Sequence, residues 1–305
     1  MPSGAAGVDG CRVWSGVTVD GVAGIVFVNP SAGSELSADE LRALFAGHRV
    51  IECPGEEIPA RVSDVVRERP DFVAVAGGDG TLRGAAQELL GTGVPLLPIP
   101  GGTRNHFALA VGVCDLETAA KAAAAGIVRH FDVGDVNGQC FLNNSSVGLY
   151  PKLVIKRESY ERRMSKRRAQ LVAAWEQIRH GHRFRLELRG RRRRAWLVFV
   201  GNGCYGEHLL DFTDRESVGG GVLDIRIVLA DRPLARTRVV LALLRGLESS
   251  PLIVRDTCPE AELGLGRPRV EVALDGEVET FEAPLRYSVR REELAVVVPP
   301  DIDAD

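Results

Sequence analysis

Asp71-Phe-Val-Ala-Val-Ala-Gly77-Gly78-Asp79-Gly80-Thr81-Leu82-Arg83-Gly84 is the stretch whose reading decides the fold. An apolar run of strand character ends in two glycines, a carboxylate, a third glycine and a hydroxyl. A helix-forming stretch, Leu82 to Leu90, follows at once. Strand, glycine turn and helix is how α/β proteins hold a phosphate. Glycines let the backbone come close, and the helix start offers unpaired N–H groups and a positive dipole end. The spacing is not that of the common phosphate loops. A Walker A loop needs a Lys after its last glycine, and none follows here. A dinucleotide fingerprint needs Gly-x-Gly-x-x-Gly, and Gly78, Gly80 and Gly84 are spaced one residue too wide. Asp79 beside phosphates would repel them unless a cation intervened, so the pattern implies Mg²⁺. An ordinary βα turn with an exposed Asp would read the same way, since turns favour Gly and Asp.

Outward from this stretch the chain alternates. Residues 22–28 form a near-continuous apolar run, which suits a strand buried on both faces of a parallel sheet. Asn29-Pro-Ser-Ala-Gly33 follows as a polar turn, at the sheet edge where ligands collect. Helical spacing covers 38–47 and 59–69, with a short strand near 50–53 between them. After the central turn, Val94 to Ile99 is another strand, running into Pro100-Gly101-Gly102-Thr103-Arg104-Asn105-His106-Phe107-Ala108. Asp115 reads as the N-cap of an Ala-rich helix over 116–125, and Gly126 as its stop. Alternating β and α argues an α/β sheet layer.

From Ile127 strands dominate, predicted over 127–135, 139–149, 183–189, 194–201, 221–229, 269–274 and 284–290. Asn137-Gly138 signals a hairpin. Two helices interrupt, 155–180 and 234–247. The segment 294–298 is apolar enough to pack on either domain. The fold expected is therefore α/β followed by a mostly antiparallel β domain. Its boundaries are a flexible leader over 1–21, an α/β domain over 22–130 to which 291–305 returns, and a β domain over 131–290.

With 305 residues and 45% apolar content, two cores are affordable in size. A net charge of −3 creates no global field that selects a polyanion. The cysteines at 11, 53, 114, 140, 204 and 258 include no C-x-x-C pair, which argues against a cysteine-held metal or a disulfide framework. Reduced thiols fit a cytoplasmic protein. The start lacks the basic-then-apolar pattern of a signal peptide, and no apolar run approaches the length of a membrane span.

Five features occur in one order: Asn29 to Gly33; Gly77-Gly-Asp-Gly-Thr81; Gly102-Thr-Arg-Asn-His-Phe-Ala108; Phe141-Leu-Asn-Asn-Ser-Ser-Val-Gly-Leu149; and Leu274-Asp-Gly-Glu277. Together they resemble the diacylglycerol kinase catalytic family, which includes bacterial lipid kinases and sphingosine kinases, over residues 22–299. The glycine-aspartate motif alone is shared with NAD kinases and phosphofructokinases. The resemblance implies an N-terminal domain holding ATP, a C-terminal β-sandwich taking the lipid, and an active site in the cleft between them. It implies that Asn29 and Gly33 lie near the nucleotide. Gly77, Gly78, Gly80 and Gly84 would cradle phosphates, with Thr81 supplying a hydroxyl and Thr103 and Asn105 lining the same place. Asp275 matches the general base and Glu277 a nucleotide or metal contact, while Asp79 would carry Mg²⁺. Phosphoryl transfer to an alcohol suits these types, because it needs positioning and charge neutralisation more than covalent chemistry. Asp275-Gly276 taken alone would read as a hairpin turn.

The pattern departs from the family in three places. His106 stands where many members have Asp. Gly219-Gly220-Gly221 lacks the carboxylate through which some members hold a structural Mg²⁺. Cys53 stands where a Thr often touches nucleotide. Lys156, Arg157, Arg162, Arg163, Lys166, Arg167 and Arg168, and Arg189 with Arg191 to Arg194, could dock on an anionic membrane surface or simply be solvated faces. Nucleic acid is disfavoured, because the arginines lack interleaved aromatics. Two other functions compete with a lipid kinase: an NAD kinase-like enzyme acting on a soluble alcohol, and a nucleotide-binding regulator without turnover. The sequence is silent on oligomeric state.

Overall fold

The computed structural model describes residues 6–8, 11–14, 24–29, 38–102, 104–148, 183–206, 220–231 and 253–301. The helices expected over 155–180 and 234–247, and Gly33, Thr103 and Gly219, lie outside the described residues. The chain divides into two units, Met1–Val133 with Arg291–Asp305, and Gly134–Arg290.

In the first unit the alternation read from the sequence appears in order. The strands are β1 (Ala6–Val8), β2 (Cys11–Trp14), β3 (Ile25–Val28), β4 (Arg49–Glu52), β5 (Val73–Gly77) and β6 (Leu96–Pro100). Between and after them come α1 (Ala38–Leu44), α2 (Ile58–Val65), α3 (Asp79–Leu89), α4 (His106–Ala110) and α5 (Leu116–Ala125). β4, β3, β5 and β6 pair in parallel, in that order. All residues of β3 and β5 are buried, which is why both read as unbroken apolar runs. Asp115 accepts the Thr118 N–H in a capping box, and Gly126 ends α5 with φ 62°.

Three expectations are corrected here. The segment read as a flexible leader carries β1 and β2, paired antiparallel, and β2 pairs with β4. Asp9-Gly10 separates those strands in the sequence, a dipeptide suited to a two-residue hairpin loop. α3 begins at Asp79 rather than Leu82, because Gly78 is its extended N-cap and the carboxylate sits in the first turn, where the helix dipole favours it. The last apolar stretch is part of one strand that begins in the second unit.

That second unit is largely antiparallel β. Its strands are β7 (Ile127–Val136, entering from the first unit), β8 (Gln139–Phe141), β9 (Asn144–Gly148), β10 (Phe184–Leu188), β11 (Arg191–Asn202) and β12 (Leu223–Leu229). They continue with β13 (Ile253–Cys258), β14 (Glu260–Gly264), β15 (Arg269–Leu274), β16 (Glu277–Glu282) and β17 (Leu285–Val298). One ladder runs β16-β15-β9-β11-β12-β13. β11 also pairs with β10, which leads through β14 to β17. Apolar residues of both arms share one buried cluster that includes Val198, Val200, Ile225, Leu263, Val272, Leu285 and Tyr287. β17 returns to the first unit, where Val296 pairs in parallel with Leu96.

Sequence reading placed one strand over 139–149. The structure breaks it between β8 and β9, because the amides of Leu142 and Asn143 turn toward a side chain rather than a ladder. β13, β14 and β16 went unread, since their alternating charged residues give little apolar signal. Asn137-Gly138 does form the β7–β8 turn, with φ 51° and 90°.

Candidate functional site

Asn29 after β3 and the loops after β4, β5 and β6 share the carboxyl edge of the parallel strands, where α/β sheets bind ligands. Two of them are clasped together. Gly101 N–H donates to Gly77 O at 3.1 Å. A Cβ built on Gly102 would lie 2.6 Å from Gly78 Cα, so only glycine permits this backbone contact. Asn105 holds the second turn closed: its Oδ1 accepts from Gly102 N–H and its Nδ2 donates to Gly102 O, both at 2.8 Å. Asn105 itself is left-handed, with φ 51°.

Asp79 links the two turns. Its Oδ2 accepts the His106 N–H at 3.1 Å and its Oδ1 the Phe107 N–H at 3.0 Å. The residue before α4 cannot do this, because the Asn105 side chain is spent on Gly102. Asp79 therefore serves the orphan N–H groups of α4 from another helix. His106, whose role the sequence left open, is the first residue of that helix.

Thr81 lies over Gly77, where a Cβ would be 2.8 Å from Thr81 Cβ. A Cβ on Gly55 would be 2.6 Å from Asn29 Nδ2 and 3.5 Å from Thr81 Oγ1, so Asn29, Gly55 and Thr81 converge. Sequence reading missed Gly55; Pro54-Gly55 after a strand was the available signal. Cys53 is buried at the end of β4. At Gly84 a Cβ would meet Pro59 Cγ at 2.8 Å, so its smallness also serves the packing of α3 on α2. Among the described residues no group of three or more His, Cys, Asp or Glu converges as a metal would require.

In the second unit, Asp275 and Gly276 form the two-residue turn between β15 and β16, with φ 48° and 96°. The hairpin reading of this dipeptide is correct as geometry, and the side chain does more. Asp275 Oδ1 accepts from Asn143 N–H at 2.8 Å and Asn144 N–H at 3.0 Å, and Oδ2 from Leu142 N–H at 2.8 Å. Glu277 opens β16 opposite Leu274, exposed at the end of the hairpin. Beyond the corner, Ser145 Oγ and Tyr287 OH share a bond of 2.9 Å, and burial pushes the Tyr287 hydroxyl up, keeping it neutral.

Of the basic stretches, 156–168 lies outside the described residues. In β11, Arg192 pairs with Glu187 and Arg193 with Asp231, and Arg189 of the preceding turn pairs with Asp256. Fewer cations face solvent unpaired than the sequence suggests. No helix of the described residues is long and apolar enough to cross a membrane.

A parallel α/β unit followed by a largely antiparallel β unit is a fold also seen in a solved diacylglycerol kinase from Bacillus anthracis. The two superpose with a TM-score of 0.65 at 20% identity, covering 94% of this chain and 100% of that one. The family model for the diacylglycerol kinase catalytic domain matches residues 23–136. A Pseudomonas fluorescens Pf-5 protein named "Probable lipid kinase YegS-like" is 32% identical over 241 residues, 74% of this chain and 76% of its own. A Pseudomonas aeruginosa protein of the same name is 30% identical over 288 residues, 88% and 92% of the two chains. Bacillus subtilis diacylglycerol kinase is 33% identical over 141 residues, 42% of this chain and 46% of that one. The chain belongs to the diacylglycerol kinase catalytic domain family.

Proposed function

We propose that the chain is an ATP-dependent lipid kinase that phosphorylates the hydroxyl of a diacylglycerol-like lipid. The observation that carries this reading is the clasp of Gly77-Gly78 against Gly101-Gly102 by Asp79 and Asn105, inside the region matched by the family model. Backbone that bare can approach a polyphosphate, and the start of α3 adds N–H groups and a favourable dipole. Asn29 and Thr81 would contact the nucleotide beside it.

Asp79, beside the clasp, would be the carboxylate that holds Mg²⁺ brought in with the nucleotide. When bound, the ion would supply charge neutralisation to the phosphates. Asp275 would accept the proton of the lipid hydroxyl as the hydroxyl oxygen bonds to the γ-phosphorus and the bond to the β–γ bridging oxygen breaks to release ADP, and Glu277 would lie next to that event. In this reading the glycine clasp holds the nucleotide and the Asp275 turn serves the acceptor hydroxyl. Docking on an anionic leaflet would use Arg191 and Arg194, exposed in β11.

Incubation with γ-labelled ATP, Mg²⁺ and a total lipid extract tests the proposal. Label should appear in a phosphorylated lipid. Label confined to a water-soluble product would replace the lipid with a soluble alcohol, and no transfer at all would remove the kinase reading.

A further inference from the structure

Leu142, Asn143 and Asn144 form a corner that is almost fully buried, at 0%, 3% and 8% exposure. Buried backbone groups need partners, and this corner draws them from far along the chain. Its three N–H groups go to Asp275. Leu142 O accepts from Asn202 Nδ2 at 3.0 Å, and Asn143 O from Tyr205 OH at 2.7 Å and from Asn202 N–H at 2.9 Å. Asn144 O accepts from Asp275 N–H at 2.9 Å. One side of the corner thus holds the carboxylate, while the end of β11 and Tyr205 hold the other.

Tyr205 is itself fixed. Its N–H donates to Asp224 Oδ2 at 3.3 Å, and its carbonyl accepts from the Arg226 guanidinium at 2.7 Å. Arg226 also bonds Gly206 O at 2.8 Å and Asp224 Oδ2 at 2.7 Å, and both members of that pair are buried. The Tyr205 ring stands edge-on to Phe199, with centroids 5.4 Å apart. It also fills the place that a side chain at Gly201 would occupy, 2.4 Å from a Cβ built there.

We propose that Tyr205, anchored by the Asp224–Arg226 pair, is a positioning residue for Asp275. Its hydroxyl fixes the Asn143 carbonyl, and so the peptide plane that carries the Asn144 N–H, one of the three amides that aim the carboxylate. Oδ1 takes two of those amides and Oδ2 the third, so a rotation of the corner turns the carboxylate with it. The inference rests on the reading of Asp275 as proton acceptor.

Tyr205→Phe removes the hydroxyl and keeps the ring. Asn143 O retains the Asn202 N–H, so the variant leaves no bare carbonyl and should fold. The measurement is phosphorylation of diacylglycerol in mixed micelles by γ-labelled ATP, with Asp275→Asn in parallel and hydrogen exchange of the 142–144 amides alongside. Expected for Tyr205→Phe is a fall in kcat of about tenfold per folded molecule, with the KM for ATP kept within about twofold, and faster exchange confined to the corner. A purely structural tyrosine would lower the folded yield and leave kcat alone. Wild-type kcat and exchange in Tyr205→Phe, with Asp275→Asn inactive, would overturn the positioning role. Full activity in Asp275→Asn would instead overturn the proton-acceptor reading on which it rests.

Discussion

Asp79 and Asp275 look alike in the sequence, each an acid beside a glycine, and in each the carboxylate receives backbone N–H groups. They differ in what those amides belong to. Asp79 stands in the first turn of α3 and satisfies the start of α4, a regular element 27 residues further on. Asp275 stands in a left-handed turn and holds an irregular corner from more than a hundred residues earlier. The first unit therefore builds its site from bare backbone and a helix start, and the second from side chains gathered from distant strands. A backbone site fails when anything is added to it, and a side-chain network fails when a member is removed.

That contrast sets the order of expected effects. The largest effect on nucleotide binding should come from addition in the first unit. Gly102→Ala places a methyl 2.6 Å from Gly78 Cα, a backbone atom that cannot yield cheaply, and ATP affinity should fall by about a hundredfold by titration calorimetry. The largest effect on stability should come from removal in the second unit. Arg226→Met leaves Asp224 buried without its counter-ion, and should cost about 3–5 kcal/mol in urea unfolding. Arg192→Ala, which breaks an exposed pair, should cost less than about 1 kcal/mol in the same assay. Asp115→Ala removes the capping box of α5 and should cost about 1 kcal/mol without altering nucleotide affinity.

The smallest effect is a pH dependence in the first unit. His48 Nδ1 accepts the Gly24 N–H at 3.0 Å, and burial lowers its pKa, with Asp71 acting in the opposite sense. The unfolded chain then binds the proton more readily than the folded one. Stability should be full above about pH 6.5, decline as pH falls through that value, and level off below the folded pKa. Urea midpoints at pH 8 and pH 5 should differ more for the wild-type chain than for His48→Gln.

What could be read in advance follows the same division. The α5 helix, its Asp115 cap and its Gly126 stop are local signals and were legible. So were the strand–glycine–helix turn at Gly77 and the Asn137-Gly138 hairpin. The hairpin of β1 and β2 was not, because a short glycine-rich segment carries little periodicity. That Gly84 packs against Pro59 was not legible, because the two meet only when α3 lies on α2. Tyr205 left no signal, because it meets Asn143 only in the folded chain. Asp224 and Arg226 are two residues apart on one strand and so share a face, but in Leu223-Asp-Ile-Arg226-Ile-Val they read as polar breaks in an apolar strand.

The most direct measurement separates the two units in one variant. Asp275→Asn is compared with the wild-type chain for binding of Mg²⁺·ATP by calorimetry and for transfer of labelled phosphate to lipid. The glycine clasp is untouched, so binding should stay within about twofold, while transfer should fall by about a thousandfold or more. Transfer at the wild-type rate, or binding lost together with transfer, would contradict the division of labour between a nucleotide-gripping first unit and a proton-accepting second one.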